Sequence, residues 1–158
     1  MSIRSLAPLW ALLLCQPASA QEADLYPGPY RGQVVRVIDA DTIEIDVRLW
    51  PGLTARYAVR ERGIDAPETY RPACEDERAW GEEATAFIQD RYSAGSLVEI
   101  DNVEEGTYGG RVLANIGRRT ASGVLVTLQA ELLERGLAVE WTPDRDDVPW
   151  CLLARTRD

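Results

Sequence analysis

The sequence predicts an α+β domain that is mainly β. Three runs of alternating apolar residues come first, at 33–38, 42–49 and 54–64, and this alternation is typical of strands with one buried face. A helix-like segment, two more strand-like runs and a second helix-like segment follow. The order β-β-β-α-β-β-α fits a small five-stranded, partly open barrel with two or three packed helices, the OB-fold architecture.

The first three strands are predicted to form an antiparallel meander. Turn residues at 39–40 and 51–52 separate them, and the second turn is Pro-Gly, which suits a tight reversal. Within the second strand, every other residue from 43 to 49 is apolar. One face of this strand should therefore lie in the core.

The remaining elements alternate between helix and strand. Bulky residues from Trp80 to Tyr92 recur at helical spacing, and Gly95 is a natural end for that helix. The predicted bounds are 77–93 for this helix, 97–103 and 111–116 for the fourth and fifth strands, and 125–133 for the second helix, which Gly136 stops.

Residues 1–20 have the pattern of a secretory signal peptide. Arg4 supplies the positive start, residues 6–14 are apolar, and Ala18-Ser19-Ala20 is a small-residue cleavage site. The apolar stretch is shorter than the roughly 20 residues that a spanning helix needs. We expect a secreted or periplasmic protein with no stable membrane span in its mature form.

Cleavage after residue 20 leaves 138 residues, which is enough for one domain with a core. We expect a short leader over 21–29 and a single domain over 30–158. Two cysteines remain in the mature chain, Cys74 and Cys151. In an exported protein such a pair favours a disulfide, with two buried thiols as the alternative.

The charged residues restrict the chemistry. The chain has 17 basic and 26 acidic residues, a formal net charge of −9 and no histidine, and every basic residue is arginine. This balance argues against a nucleic-acid binder held by bulk electrostatics. Without an imidazole base or histidine ligands for zinc, the chain is left with carboxylates and arginines, which suit Ca²⁺ or Mg²⁺.

Three aspartates lie at predicted strand ends. Asp39 and Asp41 flank the first turn, and Asp65 ends the third strand. Each one alone is typical of an ordinary turn. The antiparallel meander, however, brings Asp41 beside Asp65, and clustered carboxylates repel one another unless a cation lies between them.

Two arginines are candidates for phosphate binding. Arg60 precedes Asp65 by an odd number of residues, so on a regular strand the two side chains would point to opposite faces; a bulge or Gly63 could redirect one of them. Arg111 follows a Gly-Gly pair that would let a phosphate approach closely. Taken alone, Arg111 is more typical of an ordinary surface arginine.

Three motifs together identify a family resemblance. They are Ile-Asp-x-Asp-Thr at 38–42, Val-Arg-x-x-Gly-Ile-Asp-Ala-Pro-Glu-Thr at 59–69, and Tyr-Gly-Gly-Arg-Val-Leu-Ala at 108–114. In this order they resemble the staphylococcal nuclease (thermonuclease-like) family over residues 31 to about 141. Each motif is weak alone, and the combination is specific.

The resemblance implies a calcium site and a catalytic set. Asp41, Asp65 and the backbone carbonyl of Ala66 match the family's direct Ca²⁺ ligands, and Asp39 matches a nearby carboxylate outside that set. Glu68 matches the residue that activates or positions the attacking water.

The resemblance also implies the substrate contacts. Arg60 and Arg111 match the two arginines that grip the phosphate and stabilise its developing charge. Tyr108 corresponds to a tyrosine near the nucleotide, and Trp141 is a candidate for stacking on a base. We therefore expect an exported Ca²⁺-dependent endonuclease that acts on DNA, with RNA as a further candidate, and leaves 3′-phosphates.

Two other functions compete with the nuclease. One is a non-catalytic OB-fold module of the same family that binds nucleic acid, and the other is a Ca²⁺-stabilised structural protein of the envelope, which leaves the paired arginines unexplained. The sequence departs from the family in its acidity, in the extra glycine before Arg111 and in the short segment left for a third helix. We expect the Cys74–Cys151 bridge to replace that helix as a clamp. No protein partner is inferred.

Overall fold

The computed structural model describes residues 24–106, 109–144 and 147–157. The predicted signal peptide at 1–20 and the predicted nucleotide contact Tyr108 lie outside these residues. The elements within them are β1 (Tyr30–Asp39), β2 (Thr42–Trp50), β3 (Leu53–Glu61), β4 (Ile64–Asp65), α1 (Glu75–Arg91), β5 (Leu97–Glu105), β6 (Arg111–Arg119), β7 (Leu125–Thr127), α2 (Leu128–Glu134), β8 (Val139–Glu140) and α3 (Trp150–Ala154).

Five long strands form a closed mixed barrel. The main sheet has the order β3-β2-β1-β5-β6-β7, and β3 also pairs with β6, which closes the barrel. The β3–β6 pair is parallel and the other pairs are antiparallel. With three helices beside the strands, the predicted α+β, mainly β fold of the OB type is confirmed.

The predicted meander is β1-β2-β3. Alternation puts Ile43, Ile45 and Val47 in the core, whereas Leu49 is 41 % exposed, at an irregularity in the β2–β3 register. Thr42 lies opposite Arg60 in the β2–β3 pair. The start of β2 is therefore next to the end of β3.

The third strand is shorter than predicted. It was expected to run through 54–64, but β3 ends at Glu61 and a turn follows, in which Gly63 has a φ of +75°. Glycine adopts this left-handed conformation without the penalty that a Cβ would impose. The chain leaves the barrel at this turn, and β4 then pairs with β8.

The second helix is also shorter than predicted. Residues 125–127 belong to β7, which pairs with β6, so Leu125 was wrongly assigned to the helix. The β-branched residues Val126 and Thr127 favour a strand. Thr127 then caps α2, because its hydroxyl accepts a hydrogen bond from the Ala130 N–H at 3.2 Å.

The C-terminal part of the described chain is fixed by a disulfide. Cys74 and Cys151 are bonded, with their Cα atoms 6.0 Å apart, so the predicted disulfide is confirmed. Cys151 lies in α3, a short third helix, and Cys74 directly precedes α1. The expectation that the bridge replaces a third helix was therefore wrong, because the bridge fastens such a helix to the start of α1. In the chain-entropy model, a loop of this length is worth about 4 kcal/mol of stability. None of the described helices is long and apolar enough to cross a membrane.

Candidate functional site

Two of the predicted aspartates converge on one arginine. Asp41, in the turn between β1 and β2, is 4 % exposed, and Asp65 ends β4. Arg60 donates from Nη1 to Oδ1 of Asp41 at 2.9 Å, and its Nη2 lies 2.8 Å from Oδ2 of Asp41 and 3.3 Å from Oδ1 of Asp65. The Gly63 turn redirects Asp65, so the odd sequence offset between Arg60 and Asp65 does not separate their side chains.

Burial leaves Asp41 with an unusual charge balance. Loss of solvation raises the pKa of Asp41 to about 7, although Arg60 opposes the rise; the neighbouring carboxylate of Asp39 adds to it. The Thr42 hydroxyl donates to Oδ1 of Asp41 at 2.8 Å and lowers the pKa slightly. The contact with Arg60 therefore does not offset the loss of solvation at Asp41.

Asp39 provides the observation that tests whether a cation fits. Its Oδ1 is buried and has no hydrogen-bond partner among the described residues. A buried, unpaired carboxylate oxygen is costly in the absence of a counter-charge. Asp41, which this carboxylate approaches, and Asp65 both contact Arg60, and carboxylate oxygens are the ligand type that a hard cation such as Ca²⁺ prefers. Ala66, which follows Asp65 directly after β4, is buried.

Glu68 lies in the loop between β4 and α1, and Glu77 holds that loop. The two carboxylate oxygens of Glu77 accept hydrogen bonds from the backbone N–H of Glu68 at 3.3 Å and of Ala73 at 2.7 Å. Partial burial raises the pKa of Glu68; the carboxylate of Asp39 adds to the rise and Arg60 opposes it. The carboxylate of Glu68 is therefore close enough to Asp39, Arg60 and Asp65 for their charges to affect its pKa.

Both predicted phosphate-binding arginines line one cleft of about 700 Å³. Arg60 and Arg111 belong to the parallel β3–β6 pair, in which Ala58 lies opposite Arg111. Trp141 also lines the cleft; it is 46 % exposed, and its backbone N–H donates to the Gly63 carbonyl at 3.0 Å. Arg111 makes no ion pair with the described residues, so its guanidinium is available to an anion.

The same cleft contains acidic residues. Glu104 and Glu105, at the end of β5, are part of its lining. Glu104 is paired with Arg62 at 3.2 Å. Among the described arginines of this cleft, Arg60 and Arg62 are paired with carboxylates, so the positive charge that is free for a phosphate lies at Arg111.

Sequence reasoning missed three residues around the site. The indole N–H of Trp150 donates to Oδ2 of Asp65 at 3.1 Å across 85 residues of chain. Glu77 anchors the Glu68 loop, and Glu61 is only 1 % exposed behind Arg60. The only sequence signal for Trp150 was its neighbour Cys151, because the disulfide brings that segment to Cys74. Neither glutamate follows a recognisable motif.

Comparison with known families agrees with this architecture. A family model described as staphylococcal nuclease homologue matches residues 58–149. The match includes Arg60, Asp65, Glu68 and Arg111, and begins after Asp39 and Asp41. No match to a curated protein was found.

Proposed function

The chain belongs to the staphylococcal nuclease homologue family, and from that premise we propose that it is an exported, Ca²⁺-dependent endonuclease. Its substrate is DNA, with RNA as a second candidate, and its products carry 3′-phosphates. The observation that carries the proposal is the convergence of Asp41 and Asp65 on Arg60, at the edge of a cleft that Arg111 also lines.

Asp41, Asp65 and the carbonyl of Ala66 would hold the Ca²⁺ ion, with Asp39 beside them. The unpaired oxygen of Asp39 and the closeness of its carboxylate to that of Asp41 support a cation at this position. When bound, such an ion withdraws negative charge from phosphoryl oxygens. The site is made of oxygen ligands only, which favours Ca²⁺ or Mg²⁺ over softer metals.

The arginines stabilise the phosphate as charge develops on it. A guanidinium has five N–H donors, and the hydrogen bonds of Arg60 to the two aspartates leave some of them free. Arg111 has no competing ion pair among the described residues. Preorganised donors of this kind act mainly on the transition state, because negative charge on the phosphoryl oxygens increases there.

Glu68 is the general base in this proposal. The glutamate takes a proton from the attacking water, and its raised pKa moves it towards neutral pH, where a base is most effective. Trp141, exposed at the cleft, stacks on a base of the substrate. Tyr108 is proposed as a second nucleotide contact and lies outside the described residues.

Export accounts for the N-terminus and the disulfide together. The signal-peptide pattern at 1–20 directs the chain to the periplasm or the medium. Disulfides persist in such oxidising compartments and are rare in the cytosol, so the Cys74–Cys151 bond supports the same location.

The first test uses the mature, oxidised protein with single- and double-stranded DNA at low salt, with Ca²⁺ or with a chelator. We expect cleavage only with Ca²⁺, and 3′-phosphate ends on the products. Ca²⁺-dependent retention of DNA without cleavage would instead indicate the non-catalytic binding module. If neither cleavage nor retention occurs, both functions are wrong.

The second test replaces the proposed base. Glu68→Gln keeps the size of the side chain and removes its basicity, so we expect the cleavage rate to fall about 100-fold or more. Glu82→Gln is the matched control, because Glu82 is exposed on α1. Equal rates for the wild type and Glu68→Gln would remove Glu68 from the mechanism.

A further inference from the structure

Trp150 contacts the carboxylate of Asp65 directly. Its indole N–H donates to Oδ2 at 3.1 Å, whereas Oδ1 of Asp65 faces Nη2 of Arg60 at 3.3 Å. Each carboxylate oxygen of Asp65 therefore contacts one protein donor and retains a lone pair for another partner. The roles proposed above for Asp65 do not require Trp150, so this contact needs its own explanation.

The position of Trp150 is fixed by packing. The residue is 5 % exposed, and its ring stands edge-on to Trp80 of α1, with centroids 5.1 Å apart and planes at 87°. Edge-to-face contact is a preferred geometry for two aromatic rings. Since a buried indole N–H requires an acceptor, Asp65 is also the group that satisfies Trp150.

Two further links attach α3 to α1. Cys151, the residue after Trp150, is bonded to Cys74. Beyond α3, Arg157 forms two hydrogen bonds with Glu83 of α1, at 2.7 and 2.8 Å. Three contacts therefore fix the position of the indole. They are the packing of its ring on Trp80, the adjacent disulfide, and the ion pair between Arg157 and Glu83 beyond the end of α3.

We propose that Trp150 is a positioning residue that fixes the orientation of the Asp65 carboxylate for cation binding. Arg60 already forms a two-bond fork with Asp41 through Nη1 and Nη2 and shares only Nη2 with Asp65. Without the indole N–H, the Asp65 carboxylate would be free to rotate about this single contact. The indole N–H holds Oδ2 away from Arg60 and so keeps Asp65 available to the cation. This inference rests on the metal site of the proposed function.

The size of the expected change in Ca²⁺ affinity follows from comparable metal sites. Groups that hydrogen-bond to a metal ligand from outside the coordination shell typically change metal affinity about 10- to 100-fold when they are removed. Trp150→Phe removes the N–H and keeps a ring against Trp80. The substitution therefore separates the hydrogen bond from most of the packing.

The test is calorimetric titration of the mature, oxidised protein with Ca²⁺ in the absence of nucleic acid. We expect Trp150→Phe to bind Ca²⁺ about 10- to 100-fold more weakly than the wild type. Trp50→Phe, at a site 72 % exposed, should bind with unchanged affinity. Equal affinity in the wild type and Trp150→Phe would overturn the inference, whereas a wild type that binds no Ca²⁺ would overturn the metal site of the proposed function.

A measurement on the unaltered protein guards against a variant that fails to fold. With ¹⁵N-labelled tryptophan, the indole N–H resonance of Trp150 should shift as Ca²⁺ is added, because its acceptor Asp65 then binds a cation. The resonance of Trp50 should not move. Ca²⁺ binding that leaves the Trp150 resonance in place would contradict a coupling through Asp65.

Discussion

At the residue scale, the site is defined by its charge balance. The carboxylate of Asp39 adds to the raised pKa of both Asp41 and Glu68, and Arg60 is the cation that pairs with Asp41 and Asp65. Each carboxylate alone looked like a turn residue in the sequence. The meander predicted that Asp41 and Asp65 would meet, because strand ends joined by short turns are neighbours. The pairing of both with Arg60 depended on the Gly63 turn and could not be read from the spacing.

Arg111 gives the cleaner test of the two arginines, because Arg60 also neutralises Asp41. We expect Arg111→Ala to lower kcat/KM for DNA cleavage by about 100-fold, or about 3 kcal/mol of transition-state stabilisation. The measurement is steady-state cleavage of a short oligonucleotide with saturating Ca²⁺. Arg48→Ala, on the exposed end of β2, makes the same change in net charge and should cleave normally. Near-normal turnover by correctly folded Arg111→Ala would show that Arg111 does not stabilise the phosphate in the transition state.

Glu61 makes stability depend on pH. Its Oε2 accepts a hydrogen bond from the Ile116 N–H at 2.8 Å, and burial nonetheless raises the pKa of Glu61 to about 8 from an ordinary value of 4.5. The folded state therefore binds this proton more tightly than the unfolded state does. The associated free energy of unfolding is intact below pH 4.5 and falls as pH rises towards 8.

Glu61→Gln should remove this dependence, because the amide still accepts from Ile116 and does not ionise. Between pH 6 and 8.5, the free energy of unfolding of the wild type should fall by about 2–3 kcal/mol more than that of the variant. Urea denaturation in the presence of a chelator measures this free energy of unfolding. Any titration of Asp41 occurs in both proteins and therefore cancels in the comparison. The same pH dependence in wild type and variant would show that Glu61 is ionised in the fold at pH 6.

At the element scale, the loop that carries Glu68 is positioned by close contact with α1. A Cβ on Gly81 would lie 2.6 Å from the Pro67 carbonyl oxygen and 3.0 Å from Cγ2 of Thr69, so only glycine lets the helix approach this closely. The sequence predicted α1 from its apolar spacing. It did not predict this contact, because a glycine in a helical pattern has no distinctive partner.

Gly81→Ala should therefore act against the usual helix preference. Alanine normally stabilises a helix by about 1 kcal/mol relative to glycine, whereas here we expect no gain in thermal stability. Displacement of the Glu68 loop should lower the cleavage rate by about 10-fold or more. Gln89→Ala, at an exposed position of α1, should leave the rate unchanged. A more stable and fully active Gly81→Ala would show that the Glu68 loop can move away from the added methyl group without loss of activity.

The strand and helix boundaries also show where sequence patterns fail. Alternation correctly located the meander, and the even pair of cysteines correctly gave the disulfide. Leu125 was misassigned because apolar residues at 125, 128 and 132 fit helical spacing, whereas the structure pairs β7 with β6 across a short loop in which Gly123 has a φ of +84°. The Thr127 cap was the local signal for the true start of α2.

At the scale of the whole molecule, closure of the barrel brings Arg60 and Arg111 together. The parallel register sets Arg60 opposite Leu113 and Ala58 opposite Arg111. Parallel pairing of distant strands has no signature in a single sequence, so only the family resemblance placed the two arginines at one site. The net charge of −9 makes this local concentration of arginine necessary for any contact with a polyanion.

The measurement that tests the central claim most directly is the Ca²⁺ dependence of DNA cleavage by Asp41→Asn. Asp41 is the buried carboxylate at the centre of the cluster, and the amide contributes no charge to a cation. We predict that half-maximal cleavage will require about 10-fold more Ca²⁺ or that cleavage will be lost, while Asp90→Asn, at an exposed position of α1, cleaves as the wild type does. A folded Asp41→Asn with the wild-type rate and Ca²⁺ requirement would contradict the account.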